Sequence, residues 1–421
     1  MKIAVMGQGY VGLPLAMAAV EAGHHVVGFE PDQRRWQQLN WGTSYVEDVP
    51  SATLRAALES GRYEAARLED WLVDFDVAVI TVPTPLKDRQ PDLSDVGAAA
   101  KTVAAHLKRG ATVILESTTH PGTTRDVLVP ILQDATGWTA GEDFYVAFSP
   151  ERIDPGNPSW KFTNTPKIVS GLTAKCLERA EQFYAGMTQN IVCASSLEEA
   201  ELAKVFENTF RHVNIALVNE LGRLAHVLGV DVWRTLNLAD SKPFGFTKFL
   251  PGPGVGGHCL PVDPVYLTHH VRTQYGEAFR LVELAQDINE GQPAYVVQRL
   301  QDSLNNRLHL GVHGARILAL GQAYKPDTAD MRESPAVTVV ELLRAKGALV
   351  TVVDPYIEKE DADSLQRIPL DVHGGLNCGD FDAVALLTPH QQFDLQRVAD
   401  QANYVLDTRG VMPVAPHIER L

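Results

Sequence analysis

Residues 251–264 read PGPGVGGHCLPVDP, and they carry the most chemistry in this 421-residue chain. Four glycines and four prolines surround one thiol, Cys259, with the carboxylate of Asp263 four residues on. Such a run has neither helical nor strand period, and its glycines let backbone approach a ligand closely. A free thiol, with a pKa of roughly 8.5, is mostly protonated near neutrality, so a nucleophilic Cys259 needs surroundings that favour the thiolate. As structure alone, the segment is a tight turn around a buried cysteine. A second group of candidates is Lys204 and Asn208, at i and i+4 in a helical pattern with Arg211 next along it, an arrangement that presents a cation and an amide on one face. A third is Gly7-Gln8-Gly9-Tyr10-Val11-Gly12, a glycine turn of the kind that cradles phosphates.

These groups need elements to hold them. KIAVM (residues 2–6) has strand character, the glycine turn follows, a helical pattern runs over about 13–21, and a second strand over 25–29 ends at Glu30. Strand, GxGxxG, helix, strand and acid form the dinucleotide-binding fingerprint in its required context. Gly7 permits the turn, Gly9 admits the pyrophosphate, and Gly12 lets helix meet strand, while the helix N-terminus offers N–H groups to phosphate. Glu30 should accept from the adenosine ribose and repel a 2′-phosphate, which favours NAD over NADP, while Arg34 and Arg35 close behind it are groups that could reverse that choice. Strands are expected at 77–82 and 112–115. The loops TVPTP (81–85), STTHPGTT (117–124) and FSPERIDPG (148–156) then fall along one carboxyl edge of the sheet.

Residues 195–228 contain no proline and one glycine, Gly222. Ser196 and Glu199 form a capping box and Gly229 a C-cap. One helix about 50 Å long is expected there. From Arg316 an α/β pattern restarts: a strand over 317–320, a helix opened by Ser334-Pro335 and reaching about 346, and a strand over 349–353 ending at Asp354. A final strand over 403–406 leads into Asp407-Thr408-Arg409-Gly410. This unit lacks GxGxxG, and Lys325 and Arg332 in its first loop suit phosphates. The expected fold is therefore α/β, two Rossmann-like doubly wound domains joined by a long central helix and a small helical domain. The expected boundaries are 1–194 for dinucleotide binding, 195–305 for the helical part with the cysteine loop, and 306–421 for the second Rossmann-like domain.

The formal net charge of −15 excludes a general affinity for nucleic acid or anionic membranes. The four scattered cysteines form no CxxC pair and no zinc spacing, which points to a reducing cytoplasm and no metal. Gln8, Gly9 and Glu21 interrupt the apolar start, so no export signal and no membrane span are expected. The adjacent His269 and His270 read as surface residues.

The ordered motifs GQGYVG, STTHPGTT, FSPERIDPGN, AELAKVFENTFR, PGPGVGGHC and YKPDTADMRESP strongly resemble the UDP-glucose/GDP-mannose dehydrogenase family over nearly the whole chain. That resemblance implies oxidation of a sugar-nucleotide C6 alcohol to a carboxylate with two NAD⁺, and a homodimer or larger assembly built on the long helix. It implies that Cys259 forms a thiohemiacetal and then a thioester, because an aldehyde has no transferable hydride until a nucleophile makes its carbon tetrahedral. Lys204 and Asn208 would stabilise the oxyanion. Asp263 and Thr118 would position water, and Glu151 would serve thioester hydrolysis. By the same resemblance the cofactor meets Gly7, Gly9, Tyr10, Val11, Gly12, Glu30, Arg35, Thr84, Thr118 and Arg332. The UDP-sugar would meet Glu151, Arg152, Lys204, Asn208, Arg211, Phe249, Gly256, Gly257, Lys325 and Arg409.

UDP-glucose dehydrogenases commonly have a lysine where Val262 stands, and a second glutamate where Pro155 stands. Both departures resemble the branch acting on 2-acetamido sugars, and FSPERIDPGN is closer to UDP-N-acetylglucosamine than to UDP-N-acetylmannosamine enzymes. The expected reaction is thus four-electron oxidation of a UDP-N-acetylhexosamine, UDP-N-acetylglucosamine first, with UDP-N-acetylmannosamine or UDP-glucose as alternatives. A two-electron hydroxyacid dehydrogenase would share the NAD domain and a Lys/Asn helix, but it needs no cysteine and usually has a helical second domain. A silent NAD or UDP-sugar binding protein would need none of the reactive side chains.

Overall fold

A computed structural model describes residues 1–67, 74–153, 157, 159–357 and 377–421. The FSPERIDPG reading at 154–156, including the Pro155 departure, lies outside the described residues. Two compact units divide the chain. One comprises Met1–Glu207 with Val265–Gly276, the other Asn208–Pro264 with Glu277–Leu421.

In the first unit the elements run β1 (Lys2–Met6), α1 (Gly12–Glu21), β2 (His25–Phe29), α2 (Gln33–Asn40), α3 (Ser51–Glu59), β3 (Tyr63–Ala66), β4 (Val77–Ile80), β5 (Leu86–Lys87), β6 (Gln90–Pro91), α4 (Ser94–Ala105), β7 (Thr112–Leu115), a π-helical turn (Thr124–Leu128) into α5 (Val129–Thr136), β8 (Tyr145–Phe148), β9 (Lys167–Gly171), α6 (Ala174–Tyr184) and β10 (Ile191–Cys193). The main sheet has the order β10-β9-β8-β7-β4-β1-β2-β3. Its pairs are parallel except β8 with β9. Strand alternation sets the two faces: Ile3 and Val5 of β1 join one apolar core, and Ala4 and Met6 join the other. The strand order reverses between β1 and β4, the switch point at which ligands bind in such sheets.

Helix α7 spans Leu197–Leu228 without interruption, 32 residues or about 48 Å. Ser196 Oγ accepts from Glu199 N at 3.2 Å, and Glu199 reaches back to Ser195 N at 2.9 Å. Gly229 ends the helix with φ +67°, a conformation that suits glycine.

There follow α8 (Val232–Asp240), α9 (Asp263–Tyr275), α10 (Arg280–Glu290), α11 (Gln292–Leu308), β11 (Arg316–Leu320), α12 (Pro335–Ala345), β12 (Leu349–Val353), β13 (Ala383–Leu386), α13 (Leu395–Gln401), β14 (Val405–Asp407) and β15 (Ile418–Arg420). The second unit's sheet has the order β12-β11-β13-β14-β15 and is parallel throughout. Its switch point lies between β11 and β13. The last expected strand is shifted toward the C-terminus, to Val405–Asp407, because Asn403 is used as a brace that donates to the carbonyls of Gly379 and Phe381.

Candidate active site

At the first switch point the glycine turn is tight on one side and open on the other. Gly7 has φ +92°, and a Cβ on Gly12 would lie 1.9 Å from Gly7 O and 2.5 Å from Thr81 Oγ1. Thr81 Oγ1 donates at 2.9 Å toward the carbonyls of Met6 and Gly7, bracing the turn against β4. Gly9 has nothing within 4 Å of an added Cβ, the opening a pyrophosphate needs. Glu30 is buried, with one oxygen accepting from Gln8 N (3.2 Å) and the other from Asp32 N (3.1 Å). Each of those oxygens keeps a lone pair for a ribose hydroxyl. Tyr10 and Val11 are half-buried beside the turn, as is Thr84 beyond β4. Arg35 is exposed, with its guanidinium 5.5 Å from the centre of the Tyr45 ring, and Tyr45 in turn donates to Gln8 O at 2.8 Å. The residues present fit NAD.

Along the same sheet edge, Ser117 Oγ donates to Val82 O at 2.7 Å and leaves the next residue, Thr118, half-buried. His120 stacks on His270, centroids 4.2 Å apart, so His270 is a packing partner of this loop rather than a plain surface residue. Glu151 is buried at the end of β8 and is held from two sides. Its Oε1 accepts from Arg152 N and Ile153 N at 2.6 Å each, and its Oε2 lies 3.3 Å from Lys167 Nζ. Lys167 also meets Glu116 at 3.0 Å, and Tyr184 donates its hydroxyl to Glu116. Burial pushes the Glu116 carboxyl up to about 6 against the opposing pull of Lys167. Arg152 is committed to Glu207 at 2.6 Å and to Pro166 O at 2.8 Å.

Lys204 and Asn208 are both buried, one turn apart on α7, while Arg211 is exposed. In the second unit Asn208 Nδ2 donates to Asp263 Oδ2 at 2.5 Å. The Cys259 carbonyl accepts from Asp263 N (2.8 Å) and Val262 N (3.2 Å), so the half-buried thiol belongs to the turn that opens α9. Further along the same helix, Asn219 accepts from Gly252 N at 2.9 Å and donates to Asn289 at 3.0 Å, pinning the start of the cysteine loop. Between these points burial pushes His212 down to about 4, opposed by its hydrogen bond to the Leu260 carbonyl, which leaves the ring a neutral brace. Gly257 N donates to Arg332 O at 3.0 Å. Cβ atoms on Gly256 and Gly257 would fall 2.7 and 2.9 Å from Tyr324, so only glycine fits. Phe249 packs edge-on against Phe210 at 5.8 Å.

At the second switch point Gly321 has φ +84° and no room for a Cβ beside Thr388. Asp354 ends β12 where a ribose-binding acid would stand, but it accepts from Gln322 N, Ala323 N and His390 at 2.7, 3.0 and 3.0 Å. Its acceptors are turned inward, which agrees with the missing GxGxxG. Arg409 follows β14 and donates Nε to Leu387 O at 2.7 Å, with burial pushing its pKa down to about 10. Its fork also passes Gly252, where an added Cβ would sit 3.0 Å from Nη1. Arg332 is exposed and forks onto Asp330, and Lys325 is half-buried in the same loop.

Glu116, Lys167 and Asn219 were not legible in the sequence, and Thr81 was visible only as the first residue of the TVPTP loop, without its role as a brace. Of the first three, Lys167 left a trace, a single charge at the head of the apolar run PKIVSG. Among the described residues no group of three or more His, Cys, Asp or Glu could hold a metal ion, and no helix is long and apolar enough to cross a membrane.

Comparison with known proteins decides the family. The chain matches the NAD binding domain of the UDP-glucose/GDP-mannose dehydrogenase family over residues 1–188, its central domain over 198–291 and its UDP binding domain over 318–414. The protein belongs to the UDP-glucose/GDP-mannose dehydrogenase family. It is 38% identical over 395 residues to a UDP-N-acetyl-D-mannosamine dehydrogenase of Pyrococcus horikoshii, covering 93% of this chain and 90% of that one. It is also 38% identical over 398 residues to a UDP-N-acetyl-D-glucosamine 6-dehydrogenase of Pseudomonas aeruginosa, covering 93% and 91%. A solved UDP-D-ManNAc dehydrogenase of P. horikoshii superposes with a TM-score of 0.90 at 34% identity, covering 100% of this chain and 99% of that one. The protein is an NAD-dependent dehydrogenase of UDP-sugars.

Proposed function

We propose that the protein oxidises C6 of a UDP-N-acetylhexosamine to the carboxylate in two two-electron steps, with Cys259 as the covalent nucleophile. The observation that carries this reading is the turn at Cys259, whose carbonyl caps the buried Asp263 while Asn208 holds that carboxylate at 2.5 Å. NAD⁺, two per turnover, accepts the hydrides. Asp263 takes the hydroxyl proton as C6 becomes an aldehyde, through a water positioned with Thr118. The Cys259 thiolate then adds to C6, with Lys204 and Asn208 donating to the oxyanion. Loss of the second hydride leaves a thioester on Cys259. Glu151 directs water to its carbonyl, releasing the acid and the thiol. Lys167 and the two backbone N–H groups that hold Glu151 keep it in one orientation.

Phosphate recognition is assigned to Arg409 and Lys325. A half-buried guanidinium with one hydrogen bond among the described contacts favours an anion at its remaining donors. By the family resemblance Gly256, Gly257, Phe249, Arg152 and Arg211 are assigned to the sugar nucleotide and Arg332 to the cofactor. The acetamido preference rests on Val262 and on the names of the relatives, both of which act on N-acetylhexosamines. UDP-N-acetylglucosamine is the favoured epimer. Leu217, Leu224 and Val227 are 60%, 53% and 82% exposed along α7, an apolar seam that supports a homodimer, and the four scattered cysteines favour the reducing cytoplasm as its location.

Acid quenching during turnover, followed by peptide mass analysis, tests the reading. An acyl adduct on the Cys259 peptide with UDP-N-acetylglucosamine, and little with UDP-glucose, is the expected result. Full turnover without any adduct, or equal rates on UDP-glucose, would defeat it.

A further inference from the structure

Glu201 has no part in the chemistry above, yet it is fully buried and its side-chain hydrogen bonds among the described residues run to one loop. Its Oε2 accepts from Gly122 N at 2.6 Å, and its Oε1 accepts from Thr124 N at 2.8 Å and from Thr124 Oγ1 at 2.7 Å. That loop is 117–124. Its near end is tied to the sheet by Ser117, and its far end meets α7 through Glu201. Thr118 lies between the two anchors, and Lys204 follows Glu201 by three residues, on the next turn of α7.

We propose that Glu201 is a positioning residue for the oxidation, a carboxylate clamp that fixes the Thr118 loop to the helical turn bearing Lys204. The proposal rests on the reading that Thr118 and Lys204 serve the reaction. A buried carboxylate is a costly way merely to fill space, since an apolar side chain of similar volume avoids the desolvation. Arg125 and Glu198, two charges that act on it, are paired with each other at 2.6 Å, so neither is its ion-pair partner. Burial pushes the Glu201 carboxyl up to about 7 even with three donors aimed at it. Both oxygens face backbone N–H groups, so an amide at this position would set its own NH₂ against one of them. A carboxylate alone offers acceptors on both sides.

The test compares Glu201→Gln, Glu201→Ala, Thr124→Val and Thr124→Ser with the wild type, assayed well below each variant's melting temperature. NAD⁺ affinity is followed separately by fluorescence titration. The clamp predicts a kcat lower by roughly 10²-fold in both Glu201 variants, the effect of about 1 Å of misplacement, with NAD⁺ affinity retained. Thr124→Val, which removes one of three donors and is close in shape, should fall between them and the wild type, and Thr124→Ser should match the wild type. Variants that melt lower but turn over at the wild-type kcat would make Glu201 a purely structural buttress and overturn the proposal. Lys204→Ala and Thr118→Ala are run alongside. If they keep full turnover, the underlying reading fails and takes the clamp with it. If they lose it while the Glu201 variants do not, the clamp alone fails.

Discussion

Lys167→Met isolates the buried charge cluster beneath Glu151. Lys167 lies 3.0 Å from Glu116 and 3.3 Å from Glu151, with side-chain exposures of 4%, 0% and 9% respectively. At an effective dielectric of about 20 each contact amounts to roughly 5 kcal/mol of attraction, most of it offset by desolvation of the three charges. Removing the ammonium alone leaves two buried carboxylates facing each other. The expected loss is about 3–5 kcal/mol, which for a unit of this size lowers the melting temperature by roughly 6–20 °C. The pH dependence carries the sharper information. Burial holds the folded-state Glu116 pKa at about 6, above the ordinary 4.5 of a free glutamate. Folding therefore favours its protonated form, and that contribution is complete below about 4.5 and fades as pH rises through about 6. Without Lys167 to oppose it, Glu116 protonates more readily, so the deficit of the variant should be largest near pH 8 and shrink toward pH 5. Adding Glu116→Gln to the same chain should return part of the loss. Thermal melts of the three proteins across that range are the assay. A deficit that does not vary with pH, or one that grows as the pH falls, would mean that Lys167 does not hold Glu116 ionised.

The other predictions concern binding and chemistry. Gly12→Ala has no space beside Gly7 O and Thr81 Oγ1, so it should lower both the melting temperature and the affinity for NAD⁺, the latter by at least about tenfold, or ~1.4 kcal/mol. Gly9→Ala meets no protein atom, so it should melt like the wild type and lose NAD⁺ affinity alone. Titration calorimetry with NAD⁺ and a melting curve separate the two. Arg409→Met should weaken UDP binding by about 2–5 kcal/mol, read by calorimetry, with a smaller loss of thermal stability from the Leu387 carbonyl it leaves without a donor. Cys259→Ala should fold and bind both ligands but form no acid, which chromatography of the products would show.

The parts of the account visible in the sequence are those written in local spacing. GQGYVG between two apolar runs specifies the turn, and its three glycines have three separate geometric reasons in the structure. The uninterrupted stretch between Ser196 and Gly229 specifies α7, because caps and the absence of proline act over a few residues. Contacts made by distant segments left no such record. Glu201 meets Gly122 and Thr124 across more than seventy residues, and Lys167 meets Glu116 across about fifty, so neither pairing has a period or a motif. Asp354 misleads in the opposite way. It stands at the strand end where a ribose-binding acid belongs, but its neighbours' amides and His390 use its oxygens. His270 had no visible partner in sequence because His120 comes from another element altogether.

If one active site carries out both oxidations, then excess NAD⁺ with a limiting UDP-N-acetylhexosamine should yield two NADH for each uronic acid released, counted against sugar consumed. One NADH with a free aldehyde as product would mean that the second oxidation does not take place on this protein.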